Sequence, residues 1–214
     1  MPTVTIFGAG NMARGIGTRL AASKEEVQIL APKPDEAAAL ARELAAAGGS
    51  ACGAMQAEPI LGDVVVLAVP YDAALEIAQS RRDELAGKIV VDITNPVDWA
   101  ASFERLVTPP DSSAAEEIAK RLPGVPVVKA FNTTFAGTLL EGQVAGQPLD
   151  VFVAGDDADA KARVAELIGG TGLRVIDAGP LRRARQLEQL GFLHMALQDN
   201  LGSGYGSAIK IITP

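Results

Sequence analysis

A glycine turn near the start of the chain constrains its fold more than any other feature. The β-branched residues 4–6 lead into Gly8 and Gly10, and residues 11–20 continue with a helix-forming pattern. Strand, tight turn and helix in this order, with Ala13 completing a G-x-G-x-x-G/A spacing, are typical of the fingerprint that binds a dinucleotide. The first glycine permits the turn, the second lets a pyrophosphate approach the backbone, and the alanine keeps the helix close to the strand.

Strands and helices alternate along the rest of the chain. Continuous apolar runs at 63–70 and 88–93 predict parallel strands that are buried on both faces. The capping box from Ser113 to Glu116 predicts the start of a helix that ends near residue 121. The pattern predicts further strands at 27–30, 51–55, 125–130, 149–154 and 173–177, and helices at 35–47, 72–82, 157–168 and 181–201.

This order of elements predicts an α/β fold. We expect a Rossmann-like, doubly wound and mostly parallel sheet with right-handed crossovers. The alternation becomes looser over 133–146, so we predict a dinucleotide-binding domain over 1–135 and a small C-terminal α/β extension over 136–214. The last predicted helix could be continuous or could be broken near Gly191. Asp35 is the predicted N-cap of the helix at 35–47.

Composition excludes several classes of function. The formal charge of −7 argues against nucleic acid and anionic membrane surfaces as partners. With one cysteine, Cys52, and one histidine, His194, we predict no disulfide and no metal site. No apolar run has the length of a membrane helix, and the first eight residues do not resemble a signal peptide. We therefore expect a cytoplasmic protein.

The second predicted strand bears on the choice between NAD and NADP. An acidic residue at its end would bind the ribose 2′-hydroxyl of NAD, but the strand closes as Leu30-Ala31-Pro32-Lys33. Lys33 could hold the 2′-phosphate of NADP or could be an ordinary solvated loop residue. The absence of the acid together with Lys33 favours NADP.

Ligands of doubly wound sheets bind beyond the carboxyl ends of the strands. At these ends the sequence places the candidate site residues Val69, Pro70, Asn95, Pro96, Ala130 and Asn132. Asn95 could donate a hydrogen bond to the nicotinamide or its ribose, but an Asn-Pro pair is also a common turn initiator. Since hydride transfer needs neither a nucleophile nor a metal, we predict no catalytic side chain.

Several ordered motifs resemble those of the NADP oxidoreductase, coenzyme F420-dependent family, whose relatives include the NADPH-binding domain of the STEAP metalloreductases. The motifs are Gly8-Ala9-Gly10-Asn11-Met12, Val69-Pro70, Ile93-Thr94-Asn95-Pro96, Val128-Lys129-Ala130-Phe131-Asn132-Thr133 and Asp177-Ala178-Gly179-Pro180-Leu181. The chain departs from deazaflavin-reducing members at Asn132, where they carry His, and at Pro32-Lys33, where Ser-Arg is usual.

The resemblance implies binding roles for matching positions. The pyrophosphate would be held by Gly8, Gly10, Asn11, Met12 and Ala13. Lys33 would replace the family's 2′-phosphate-binding Arg or Lys. The nicotinamide would be bordered by Val69, Pro70, Asn95 and Pro96. The implied activity is hydride transfer between NADP(H) and a small-molecule acceptor, either coenzyme F420 or a flavin such as FMN or FAD.

Two other functions stay open at this point. The Gly10-Asn11-Met12-Ala13 segment also resembles pyrroline-5-carboxylate reductase, an imine reductase, although that family's helical domain is not indicated after residue 140. The lack of an acid, base or metal ligand would also suit a non-catalytic, redox-sensing NADP-binding module. Leucines 187, 190, 193 and 197 of the last helix could form a homodimer face or pack on the sheet.

Overall fold

An eight-stranded sheet forms the centre of the molecule in the computed structural model, which describes residues 3–98, 100 and 104–213. Its strands are β1 (Val4–Phe7), β2 (Glu26–Ala31), β3 (Ser50–Met55), β4 (Val64–Leu67), β5 (Ile89–Asp92), β6 (Val127–Lys129), β9 (Asp150–Gly155) and β10 (Arg174–Gly179), and a separate hairpin pairs β7 (Gln143–Val144) with β8 (Gln147–Pro148). The helices are α1 (Asn11–Ala22), α2 (Pro34–Ala46), α3 (Tyr71–Ser80), α4 (Arg82–Leu85), α5 (Ala114–Arg121), α6 (Ala136–Glu141), α7 (Ala158–Gly170), α8 (Ala184–Ala196) and α9 (Gln198–Leu201), with a 3₁₀ turn at Leu181–Arg183.

The strand order confirms the predicted fold. It runs β10-β9-β6-β5-β4-β1-β2-β3, and neighbouring strands are parallel except for β6 and β9. From β1 the chain builds outward to β3, and it then returns to the other side of β1 with β4. The order therefore reverses between β1 and β4, which is where α/β sheets of this kind bind their ligands.

Apolar side chains cover both faces of the sheet. On one face, α1, α2, α6 and α7 contribute Ile16, Leu40, Leu139 and Val164 to a single buried cluster. On the other face, α3 and α5 pack through residues such as Ile77 and Ile118. Because the central strands β4 and β5 are covered on both sides, they read in the sequence as continuous apolar runs, whereas the edge strands β3 and β10 are partly exposed.

The C-terminal segment continues the same sheet. β9 pairs antiparallel with β6 through Val128 opposite Gly155 and Lys129 opposite Ala154, and β10 adds to the outer edge of β9. The two strands predicted after residue 140 are thus present. The division at residue 135 stays a prediction, since β9 and β10 share one sheet with the residues before it.

The structure corrects two local predictions. Lys33, not Asp35, occupies the N-cap position of α2, because Pro34 takes the first helical position and places Asp35 inside the first turn. The break that the sequence left open near Gly191 is absent, since α8 runs unbroken through that residue and ends at Ala196. The short elements α4, α6, β7 and β8 were not predicted. Among the described residues, no helix combines the length and the apolar character needed to cross a membrane.

Candidate functional site

The turn after β1 requires glycine at its first position. Gly8 has a φ of +107°, and a Cβ atom there would lie 2.3 Å from the carbonyl oxygen of Ala68. Both the backbone conformation and the contact exclude a side chain. Gly10 differs, because a Cβ on Gly10 would meet no atom within 4 Å. The space above Gly10 is open, as the approach of a pyrophosphate to the backbone requires.

Helix α1 presents an uncapped N-terminus at this turn. Gly10 is its N-cap and offers no side-chain hydrogen bond, and the first turn contains no acidic residue. The first N–H group bonded within the helix is that of Arg14, which donates to the carbonyl of Gly10 at 2.9 Å. The preceding N–H groups, together with the helix dipole, suit a phosphate group.

A cleft of about 710 Å³ extends from this turn along the carboxyl ends of the central strands. Its volume lies in the range of cofactor and ligand sites. It brings together eight of the twelve predicted site residues, Gly10, Asn11, Met12, Val69, Pro70, Asn95, Pro96 and Asn132. Its lining also includes Tyr71, Asp72, Thr94, Phe135 and Met195.

The other four predicted residues lie outside this lining. Gly8, Ala13 and Ala130 are buried in the packing of strand ends against helices. Lys33 is on the surface with 75% of its side chain exposed, and its Nζ atom forms an ion pair with Glu36 at 2.8 Å. The hydrogen bond and the charge of Glu36 raise the pKa of Lys33. Lys33 follows the end of β2, and its ammonium is paired with the Glu36 carboxylate in this structure. Its contact with a 2′-phosphate stays a prediction.

Two asparagines join the ends of β5 and β6. Asn95 donates from Nδ2 to the backbone carbonyl of Asn132 at 2.7 Å, and Asn132 donates from Nδ2 to Oδ1 of Asn95 at 2.9 Å. Asn132 also donates to the carbonyl of Leu187 in α8 at 2.8 Å. The pair is therefore held from both strands and from the helix behind them, and Asn95 is more than a turn initiator.

Two side-chain oxygens at the cleft are buried without a partner in the described part of the chain. They are Oγ1 of Thr94 and Oδ1 of Asn132. Buried polar atoms normally have a hydrogen-bond partner, so each such exception points to a missing one. Thr94 and Asn132 both line the cleft, and a bound polar ligand would supply that partner.

Beneath Thr94 lies a charged cluster that the sequence analysis missed. The Nζ atom of Lys129 contacts Oδ2 of Asp92 at 2.7 Å, Oε1 of Glu188 at 2.8 Å and the carbonyl oxygen of Thr94 at 2.5 Å. Both Lys129 and Asp92 are fully buried, and Glu188 is almost so. A lysine inside the apolar run of β6, beside an aspartate that ends the neighbouring strand, was the available sequence signal.

Charge attraction favours the protonated form of this lysine. Burial alone would lower the pKa of Lys129, but the adjacent Asp92 and Glu188 carboxylates raise it. Burial, with the nearby charge of Asp92, raises the pKa of Glu188. Glu188 is further held by the N–H groups of Ala114 at 3.0 Å and Ala115 at 3.4 Å, at the start of α5.

The single histidine of the chain, His194, is also engaged. It lies on the buried side of α8, whereas the neighbouring Leu193 is exposed. Its Nδ1 faces the carbonyl of Thr133 at 3.2 Å and its Nε2 faces Oγ of Ser207 at 2.9 Å. Its ring stacks on Phe135 with centroids 4.2 Å apart.

A larger cavity, about 860 Å³, lies between residues 104–112 and α8. None of the predicted site residues lines it. The smaller cleft is the better candidate because it adjoins the glycine turn, the uncapped helix end and the unpartnered oxygens.

Sequence comparison identifies the family. The chain is 32% identical over 220 residues to the F420-dependent NADP reductase of Methanocaldococcus jannaschii, covering 99% of this chain and 98% of that protein. The chain belongs to the F420-dependent NADP oxidoreductase family. The family model, described as NADP oxidoreductase coenzyme F420-dependent, matches residues 3–96, which include the glycine turn and the Asn95-Pro96 pair.

Structural comparison agrees with this membership. A solved structure from Arthrobacter sp. FB24, assigned as an F420-dependent NADP-reductase, superposes with a TM-score of 0.82 at 28% identity and covers 99% of both chains. The rat metalloreductase STEAP3 is 32% identical over 189 residues, covering 88% of this chain but only 36% of the metalloreductase. The chain thus spans about a third of that relative, and nearly the full length of the M. jannaschii member of the F420-dependent NADP oxidoreductase family.

Proposed function

We propose that this oxidoreductase transfers a hydride between NADP(H) and coenzyme F420 or a flavin. The observation that supports the proposal most is the cleft at the reversal of strand order, where the glycine turn of a family member meets Asn95 and Asn132. NADPH, when bound, supplies the hydride from C4 of its nicotinamide. The chain itself supplies binding, orientation and shielding from water, which are the protein's contributions to such a reaction.

Each part of the cleft has a proposed task. The N–H groups that open α1 bind the pyrophosphate, and Lys33 binds the 2′-phosphate after leaving Glu36. Val69, Pro70 and Pro96 border the nicotinamide ring. Phe135 and Met195, which also line the cleft, provide apolar surface for a planar acceptor. A free and exposed Cys52 suits a reducing compartment, and we place the enzyme in the cytoplasm.

An acceptor panel tests this proposal. Purified protein is mixed anaerobically with NADPH and, in turn, with F420, FMN, FAD, riboflavin and pyrroline-5-carboxylate, each beside an enzyme-free control. We expect NADPH oxidation above the control with F420 or a flavin. Rates equal to the control for every acceptor would overturn the proposal. If cofactor binding were tight under those conditions, the non-catalytic module would be the better interpretation, and turnover of the imine alone would favour an imine reductase.

A further inference from the structure

The Lys129 cluster lies directly behind the backbone that lines the cleft. Three acceptor oxygens surround the Lys129 ammonium at 2.5 to 2.8 Å. One comes from β5, one from the loop that follows β5, and one from α8. An ammonium has three N–H donors, so these contacts saturate it. Asp92 adds a further constraint, because its Oδ1 accepts the N–H of Thr94 at 2.9 Å. The Thr94 residue is thus fixed through both its N–H and its carbonyl group.

This arrangement sets the direction of the Thr94–Asn95 peptide. In a trans peptide the carbonyl and the following N–H group point in opposite directions. Because the carbonyl of Thr94 points to Lys129, the N–H of Asn95 points away from the cluster. Among the hydrogen bonds of the described residues, that N–H has no acceptor. The peptide therefore holds a donor that points away from the cluster, and the same Thr94 residue carries the unpartnered Oγ1 atom.

The same lysine also holds α8 against the strand ends. Its partner Glu188 bonds the start of α5, and the carbonyl of the neighbouring Leu187 accepts a hydrogen bond from Asn132. Gly191, three residues after Glu188 in α8, lies close to the asparagine pair. A Cβ atom at Gly191 would be 2.7 Å from the carbonyl oxygen of Asn132 and 2.9 Å from the side-chain amide of Asn95. Lys129 is therefore the link between the peptide at the cleft and the helix that supports the asparagine pair.

We infer that Lys129 is a positioning residue for the hydride-transfer site, acting through the Thr94 carbonyl and Glu188 to hold Thr94, Asn95 and Asn132 in register with the nicotinamide. The inference rests on the proposed function. It assigns Lys129 no contact with the cofactor or the acceptor. Reacting groups must be held to within a fraction of an ångström, and a misplacement of about 1 Å costs roughly a hundredfold in rate.

The test uses two substitutions in the cluster and one matched control. Lys129→Met removes the ammonium, and Glu188→Gln removes one carboxylate charge while Lys129 keeps Asp92. Lys161→Met removes a different lysine, which lies in α7 and pairs with Asp177 of β10 at 3.0 Å. If Lys129→Met does not fold, the Glu188→Gln variant provides the test. It leaves no unpaired buried charge, because the remaining Lys129–Asp92 pair is neutral as a whole.

Three quantities are measured for each variant. The first is the affinity for 2′,5′-ADP, which lacks the nicotinamide. The second is the fluorescence of bound NADPH, which reports how the nicotinamide is held. The third is the single-turnover rate of hydride transfer. In the cluster variants we expect unchanged 2′,5′-ADP affinity, weaker enhancement of bound NADPH emission, and a rate lowered by about tenfold to a hundredfold. The Lys161→Met control should match the wild type in all three.

The outcomes separate this inference from the proposed function. Unchanged emission and an unchanged rate per bound cofactor in the folded cluster variants would overturn the positioning role, whatever the loss of stability. Equal loss of 2′,5′-ADP affinity would also overturn it, because a general structural defect affects both halves of the cofactor site. If the wild type transfers hydride to no acceptor, the proposed function fails, while the NADPH emission still decides the role of Lys129.

Discussion

Single positions in this chain are explained by the atoms that face them, and Gly191 is the clearest example. Alanine is normally favoured over glycine in a helix, but here the added methyl group would meet Asn132 and Asn95 at less than 3 Å. We expect Gly191→Ala to destabilise the fold by about 1–3 kcal/mol in urea denaturation. Gly169→Ala is the control, because nothing lies within 4 Å of its Cβ, and it should stabilise by roughly 0.5–1 kcal/mol. Equal effects would contradict this account of Gly191.

Lys33 and Glu36 are expected to act in opposite directions on cofactor affinity. Lys33→Ala removes the cation proposed for the 2′-phosphate and should weaken NADPH binding several-fold, with NADH binding unchanged. Glu36→Gln removes the carboxylate that now pairs with Lys33 at 2.8 Å and should strengthen NADPH binding. Equilibrium titration with both cofactors provides the measurement. If neither substitution alters the ratio of the two affinities, Lys33 does not bind the 2′-phosphate.

At the scale of elements, His194 connects α8 to the segment that follows α9. Burial lowers the pKa of His194 below its ordinary value of 6.5, while its hydrogen bond to the Thr133 carbonyl opposes the shift. A depressed pKa in the folded state means that the protein is stabilised above about pH 6.5 and loses this stability as the pH falls. We expect acidification from about pH 8 to about pH 5.5 to lower the unfolding midpoint more in the wild type than in His194→Gln. Parallel losses in both proteins would contradict the role of this histidine.

The start of α5 shows an element whose boundary the sequence determines. Ser113 accepts the N–H of Glu116 at 3.2 Å, as the capping box predicts. The Glu116 carboxylate accepts a hydrogen bond from the Ser113 hydroxyl at 2.7 Å, where the capping box would use the Ser113 backbone N–H. Ser113→Ala should therefore destabilise the fold by about 1 kcal/mol. Ser80→Ala is a suitable control, because that exposed hydroxyl only bonds a carbonyl one turn earlier in its own helix. A similar small effect for both serines would show that the cap is dispensable.

Across the whole molecule, local patterns predicted the sheet but not the contacts between distant segments. The apolar runs, the glycine turn and the capping box each lie within a few residues, so the strands, the fold class and the strand-end residues of the cleft could be predicted. Lys129 meets Asp92 and Glu188 across 37 and 59 residues of sequence. A single sequence contains no pattern that pairs such residues. The same reason explains why a helix break at Gly191 stayed open in the sequence, and why the close contact of Gly191 with Asn132 was not predicted.

The homodimer stays a prediction at this scale. Leu187 is buried in the fold, Leu190 is partly buried, and Leu193 and Leu197 are 55% and 40% exposed. Leu190, Leu193 and Leu197 could therefore contribute to an interface between copies. Light scattering of the purified protein measures its mass directly. A mass equal to that of one chain would contradict the prediction.

Hydride transfer within the cleft is the central claim, and isotope transfer tests it most directly. NADPH with deuterium at one of the two C4 positions is mixed anaerobically with the protein and the acceptor that the panel identifies, and the products are analysed by mass spectrometry. Because a fixed cleft presents one face of the nicotinamide to the acceptor, we predict that the NADP+ product loses deuterium placed at one of the two C4 positions and keeps deuterium placed at the other. The NADP+ product is the one analysed, because deuterium on its C4 carbon does not exchange with water. Loss of deuterium from both positions, or from neither, would contradict the account.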